Sequence, residues 1–371
     1  MTQPTVDIIA QLAQIAPDSA LAQARAVREA ATRHTQGSYD VLFSHPPQGN
    51  LSLALRFFIA SHVSAWHDNP TLAQFYAGRL ADFPTPARDE ALTQALAHAE
   101  RLTRHPVAAT PAHLHELQQA GWSDDDIVTL SQLVAFVSFQ SRLVVGLQQL
   151  TTAAPLVANT ADVTAGHWHT EPLTHSNKTA PTAFTQGELG WEPWIAAKPL
   201  AAFSEEEQAV LARFGHTESD YFRLLGRNLP LLEQRTLTDK GIFYTSGGLP
   251  RSERELAATV VSKVNGCIYC ASVHARKASQ LSKQDDAVQR LLNVPPGGSL
   301  AAGQDPRWQA IITFAARLSA TPAQVSSHDV DSLRAAGLDT PAILDLIQST
   351  AFFAWANRLM LTLGEPFWPS H

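Results

Sequence analysis

The chain has 371 residues, of which 45% are hydrophobic and 16% charged, and a formal net charge of −7. That length exceeds one ordinary core and predicts two domains, and an acidic balance with no basic run excludes a nucleic-acid footprint. No stretch reads as the roughly 18–20 apolar residues that span a bilayer. Met1-Thr2-Gln3-Pro4-Thr5 has neither the basic nor the apolar region of a secretory signal. A cytosolic location without a membrane partner is therefore expected.

Periodicity along the chain is helical, with few alternating β-branched runs, so an all-α fold is expected. Asp124-Asp125-Asp126 sets three acids at the start of an apolar-periodic stretch running to about Gln149, where a helix N-terminus favours negative charge. From Thr151 to about Ala202 the chain is rich in Thr, Ala, Pro and His and loses that period. It also carries Trp168, Trp191 and Trp194, and a disordered linker is poor in aromatics. The segment is expected to be extended and to pack on one or both flanking units through those tryptophans. Leu256, Val260 and Val264 repeat at four and predict a helix from Ser252 to about Val264. Asn265-Gly266 is a turn signal, after which a helix runs from about Cys267 to Leu281. Asp339-Thr340-Pro341 opens the last helix, Ala342 to about Leu363, with proline in its first turn.

Two of these stretches are related. With Ala120-Gly121 set on Ala336-Gly337 and no gap, ten of the 28 pairs to Leu147/Leu363 are identical, among them Gln132/Gln348, Phe136/Phe352 and Arg142/Arg358. An earlier block sets Ser61-His62-Val63 on Ser262-Lys263-Val264 and Leu80 on Leu281. Extra residues around Pro295-Pro296-Gly297-Gly298 account for the change of offset. The chain reads as one helical unit duplicated, over 1–150 and 205–371, with an extended linker at 151–204.

Cysteine occurs twice, at Cys267 and Cys270, and His274 follows. Two thiols at this spacing can close a disulfide and reopen it, and in a cytosolic chain such a pair is catalytic or metal-binding more often than structural. Cys267 falls at a helix N-terminus, where the dipole and free N–H groups lower a thiol pKa. Cys270 lies one turn in, and His274 faces it at i+4 and can hold its proton. Glu255 reaches His274 if the two helices pack antiparallel. Zinc would find three ligands in C-x2-C-x3-H, but structural zinc takes four. No second C-x-x-C or H-x3-H supplies the fourth, so no metal is expected.

Glu255, Cys267, Cys270 and His274 reproduce the E-x11-C-x2-C-x3-H pattern of the AhpD-like alkylhydroperoxidases of the carboxymuconolactone decarboxylase superfamily. Ser252-Glu253-Arg254-Glu255-Leu256 and Asn357-Arg358 resemble its peroxidase-related branch. The resemblance implies two tandem AhpD-like helical domains, no cofactor, and a homo-oligomer, since family members form trimers or hexamers. It also implies a peroxide-reducing cycle. Cys270 attacks the peroxide, Cys267 condenses with the sulfenic acid to a disulfide, His274 serves Cys270 as base, and Glu255 supports the relay. A dithiol reductant, protein or lipoyl, resets the pair. The dipole favours Cys267 as nucleophile by ~0.3–1 kcal/mol. A bonded histidine does more, so Cys270 is the expected attacker.

In the same register the first unit has Ala54, Trp66, Asn69 and Ala73 where the second has Glu255, Cys267, Cys270 and His274. It is expected to serve as a structural partner completing a pseudo-symmetric pair, or to shape the substrate pocket. His62 and His67 lie nearby without a family role. His167, His169 and His175 suggest metal binding by composition but read more readily as scattered surface histidines; Arg142 and Arg358 read as anion binders or, more readily, as arginines that pair with acids and fix helix packing; and Phe352, Phe353 and Trp355 read as core or as the wall of an apolar pocket, with core the default. Two other readings remain open: a thiol–disulfide adaptor, which needs Cys267 exposed to a protein surface, and a decarboxylase-type enzyme of the cysteine-free branch, against which the intact cysteine pair argues.

Overall fold

The computed structural model describes residues 7–43, 49–151 and 161–370, so parts of the predicted first unit and linker lie outside the described residues. The fold is all-α apart from one two-stranded antiparallel sheet. In the first copy the main helices are α1 (Glu29–Phe43), α2 (Leu53–Trp66), α3 (Pro70–Leu80), α4 (Glu90–Arg104) and α5 (Asp124–Gln148). The second copy repeats them as α6 (Leu229–Phe243), α7 (Arg251–Asn265), α8 (Ile268–Ser282), α9 (Pro306–Ser319) and α10 (Thr340–Thr362). Local chemistry sets these ends. Ser123 and Asp126 close a capping box on α5, and the Asp339 side chain accepts from the Ala342 N–H at the start of α10.

The repeat is visible in matched contacts. Arg56 donates to the carbonyls of Leu51 and Leu42, and Arg254 donates to those of Leu249 and Ile242. The Ser64 and Ser262 hydroxyls bond back one turn, to Ala60 and Ala258. Asn69 and Cys267 are the N-caps of α3 and α8, and their N–H groups reach the carbonyls of Ser64 and Ser262. These pairs shift the expected register of the earlier block by three residues. Phe57, Asn69, Leu72 and Tyr76, not Ala54, Trp66, Asn69 and Ala73, hold the places of Glu255, Cys267, Cys270 and His274. The end block keeps the register read from sequence, because α5 and α10 are long and continuous.

Like packs on like: α5 lies against α10, and α1 against α6. Their apolar faces merge, so the two copies share one continuous core instead of the two separate ones that length alone predicts. The seam also carries buried charge. Asp345, fully buried, takes Arg28 of the first copy at 2.7 Å and Arg254 of the second at 2.9 Å. Among the described residues Arg142 and Arg358 do not pair with acids. They reach across the seam to backbone carbonyls of the opposite copy, Arg142 to Ser319 and Ala320 and Arg358 to Thr103. Burial pushes the Arg358 guanidinium down to about 9 and Arg142 well below its ordinary value.

Contrary to expectation, α5 is long and apolar enough to cross a membrane. Here all of its apolar window is buried inside the molecule, wrapped by both copies.

The linker packs on the second copy as its tryptophans required. β1 (Gly190–Pro193) pairs with β2 (Gly364–Phe367). The Trp191 indole donates to the Met360 carbonyl and Trp194 to Glu365. Trp168 and Phe184 lie over the Lys263 ammonium, which donates to the carbonyls of Leu292 and Val294.

Candidate active site

The site begins at a glycine. Gly266 ends α7 at φ +77°, a left-handed conformation that side chains with a Cβ rarely adopt. A Cβ there would meet the His167 carbonyl oxygen of the linker at 2.0 Å. The tight reversal starts α8 beside the end of α7 and lays the two helices side by side. Glu255 on α7 and His274 on α8 then meet, with His274 Nδ1 2.5 Å from Glu255 Oε2. Arg251 binds the other carboxylate oxygen at 3.1 Å. Burial raises the Glu255 carboxyl, but the hydrogen bond and charge of His274, with Lys277 and Arg251, hold it below the ordinary value. The carboxylate fixes the Nδ1–H tautomer, which leaves Nε2 as the lone-pair nitrogen. The ring is walled by Phe353 at 4.4 Å and Phe243 at 6.0 Å between centroids.

The two cysteines are buried and lie 3.3 Å apart, close enough to form a disulfide with little movement. Burial pushes the Cys267 thiol well above its ordinary value, and the neighbouring Cys270 sulfur adds to this, while a hydrogen bond from Asn357 opposes it. The expectation of a lowered pKa at this helix N-terminus is therefore reversed. Cys267 occupies the N-cap and is 1% exposed, and loss of water outweighs a dipole worth ~0.3–1 kcal/mol. Asn357, which also bridges Asn265 and Ser262, holds the turn around it.

The pair stands in the wall between two cavities that share Tyr269 and Met360. On one side lies a cavity of about 320 Å³ lined by Cys270, His274 and Glu255, by the rings of Phe222, Phe243, Phe352 and Phe353, and by Arg235 and Asp239. On the other, a cavity of about 300 Å³ meets Cys267 and is roofed by the linker and β2, including Leu173, His175, Pro181 and Trp194. All four predicted residues thus converge, with Cys270, His274 and Glu255 facing one chamber. His62 bonds to the Phe58 carbonyl, and His67 is buried between Arg142 and Ser138. Of the linker histidines, His175 sits 2.9 Å from Glu365 and His169 3.5 Å from Glu171. No group of three or more metal-ligating side chains forms among the described residues. Phe352 and Phe353 are cavity wall as well as core. Sequence reasoning missed Arg235 and Asp239. They lie one turn apart on α6, far from the motif, and only the closed fold brings them to Cys270.

Residues 230–296 match the model of the carboxymuconolactone decarboxylase family, a span from α6 through α7 and α8 that contains all four motif residues. No curated protein matches the chain. Among solved structures, an uncharacterized peroxidase-related protein from Silicibacter sp. TM1040 is similar at 25% identity over 46% of this chain and 88% of its own, with a TM-score of 0.37. An uncharacterized peroxidase-related protein from Ralstonia eutropha JMP134, described as an alkylhydroperoxidase AhpD core, is similar at 23% identity over 44% of this chain and 86% of its own, with a TM-score of 0.38. The similarity to the carboxymuconolactone decarboxylase family thus lies in the motif-bearing part of the second copy.

Proposed function

We propose that this protein is a thiol peroxidase that reduces hydroperoxides with Cys270 and closes a Cys267–Cys270 disulfide. The observation that carries the reading is the asymmetry of the pair: Cys270 opens on a chamber with His274 and Glu255, whereas Cys267 lies behind it with its thiol held protonated. The His274 Nε2 takes the Cys270 proton. The thiolate attacks the peroxide, an S–O bond forms, the O–O bond breaks, and the imidazolium returns its proton to the leaving oxygen. The Cys267 thiol, already 3.3 Å away, then attacks the sulfenic sulfur and expels water, leaving a disulfide. A dithiol slender enough to enter the second cavity from the linker side, such as a lipoyl arm, restores both thiols and leaves oxidised. On this reading the protein works in a reducing cytosol as a homo-oligomer, with the first copy as scaffold. An adaptor serving protein partners needs Cys267 at the surface, and at 1% exposure it is not there.

The test is rapid mixing of the reduced protein with hydrogen peroxide and with cumene hydroperoxide, counting thiols before and after. Loss of both thiols with one equivalent of peroxide is expected. Thiols that persist against both peroxides yet exchange with a dithiol protein would overturn the reading.

A further inference from the structure

The chamber at Cys270 is larger and more structured than a peroxide group requires. Hydrogen peroxide is about the size of two waters, each occupying ~30 Å³ of liquid, against about 320 Å³ here. Most of the wall is aromatic or aliphatic: Phe222, Phe243, Phe352, Phe353, Val273 and Met360. The lining also carries charged and titratable groups, Arg235, Asp239, Glu255, His274 and Lys277. Arg235 is 6% exposed, and its guanidinium lies against the rings of Phe352, Tyr221 and Trp355 at 5.2–5.8 Å. Of its five N–H donors one has a partner, the Tyr221 hydroxyl at 3.3 Å, and Nε is buried without one. No carboxylate lies within ion-pair distance of it among the described residues. A guanidinium is always charged, and a buried charge is normally paired.

Neighbouring charges leave the chamber short of an anion. Glu255 is committed to His274 and Arg251. Lys277 adds a second cation to the lining, and burial raises the Asp239 carboxyl, which Arg235 and His274 oppose. The first copy has no such cation: Thr35 stands at the place of Arg235 on the matched helix α1.

Resting on the peroxidase reading, we infer that Arg235 is the anchor for a carboxylate, so that the substrates of this chamber are organic hydroperoxides with an apolar body and a carboxylate remote from the peroxide. The planar fork of Arg235 pairs with the carboxylate through its open donors. The apolar body lies among the phenylalanines, and the peroxide is presented to Cys270. Asp239 tunes this site by competing for Arg235.

Two measurements test this. In the first, unreactive 4-isopropylbenzoate and its neutral isostere 4-isopropylbenzamide are titrated into the reduced protein by calorimetry. The benzoate is expected to bind about 10–100-fold more tightly, the range for hydrogen bonds to a charged group. That preference should disappear in Arg235→Gln and increase in Asp239→Asn, an isosteric change that keeps the assay informative if Arg235→Gln fails to fold. In the second, kcat/KM is compared for a carboxylated cumene hydroperoxide and cumene hydroperoxide itself, and the ratio is expected to fall at least tenfold in Arg235→Gln. Equal binding of benzoate and benzamide by the unaltered protein would overturn the inference, as would a benzoate preference that Asp239→Asn leaves unchanged or lowers. If no peroxide oxidises the thiols but the benzoate preference persists and depends on Arg235, the peroxidase reading fails and the carboxylate site stands.

Discussion

The same place in the two copies has been built in opposite ways. In the second copy Glu255, Cys270, His274 and Asp239 surround a cavity. In the first, the matching positions are Phe57, Leu72, Tyr76 and Tyr39. Three of them join Phe43 in a packed ring cluster, with Phe43 5.1 Å from Phe57, 5.1 Å from Tyr76 and 5.0 Å from Tyr39. Gln140, opposite Ala356 of the second copy's wall, closes the space further by accepting from the Tyr76 hydroxyl at 2.5 Å. One copy is solid where the other is hollow, and the same helices support both. A buried acid–histidine pair and two thiols in a cavity cost stability through desolvation, whereas packed aromatic rings contribute it. On the proposed reading the first copy holds the fold and the second carries the chemistry.

Perturbing one buried histidine in each copy should separate those two roles. His274→Gln removes the proposed base and is expected to lower peroxide turnover by ~10²–10⁴-fold, whereas His67→Gln in the first copy should leave turnover intact. Steady-state peroxide consumption reads both, and a large loss from His67→Gln would break the division of labour. The seam comes next. Asp345→Asn strands Arg28 and Arg254, and breaking a buried ion pair costs about 3–5 kcal/mol, read as a shift in a denaturant midpoint. A change below 1 kcal/mol would show that the copies hold together without it.

The thiols sharpen the comparison within the second copy. In Cys270→Ser, alkylation of Cys267 by iodoacetamide should be slow at neutral pH. Because the Cys267 pKa is raised, the thiolate fraction grows with pH, and the rate should climb about tenfold per pH unit beyond the ordinary thiol value of ~8.5. A plateau below that value would contradict the buried, protonated Cys267. The smallest effect is expected from Asn69→Ala, which removes the helix cap at the place of Cys267, costs about 1 kcal/mol and leaves turnover unchanged.

The helices, the duplication and the four-residue motif were legible in the sequence because they depend on short-range patterns. Leu256, Val260 and Val264 mark their helix face whatever packs on it, and the Gly266 turn sets Glu255 near His274 through one short connection. The register of the first copy was misread by three residues. Ser61-His62-Val63 resembles Ser262-Lys263-Val264 in letters, but the contacts of Arg56, Ser64 and Asn69 decide the alignment, and those are tertiary. The partners of Arg142 and Arg358 were misread for a related reason. Backbone carbonyls can take a buried guanidinium's hydrogen bonds in place of an acid, and they leave no mark in the sequence. The raised Cys267 pKa reflects burial by the linker and by α10, which local spacing does not report. Arg235 carries no motif at all and acquires meaning only from the cavity it borders.

The central claim, that Cys270 is the sulfur that meets peroxide, is tested most directly by trapping the sulfenic acid. The Cys267→Ser and Cys270→Ser proteins would each be treated with one equivalent of cumene hydroperoxide in the presence of dimedone, and the adduct located by mass spectrometry. The account predicts a stoichiometric adduct on Cys270 in Cys267→Ser and almost none in Cys270→Ser. An adduct forming on Cys267 at the greater rate would contradict it.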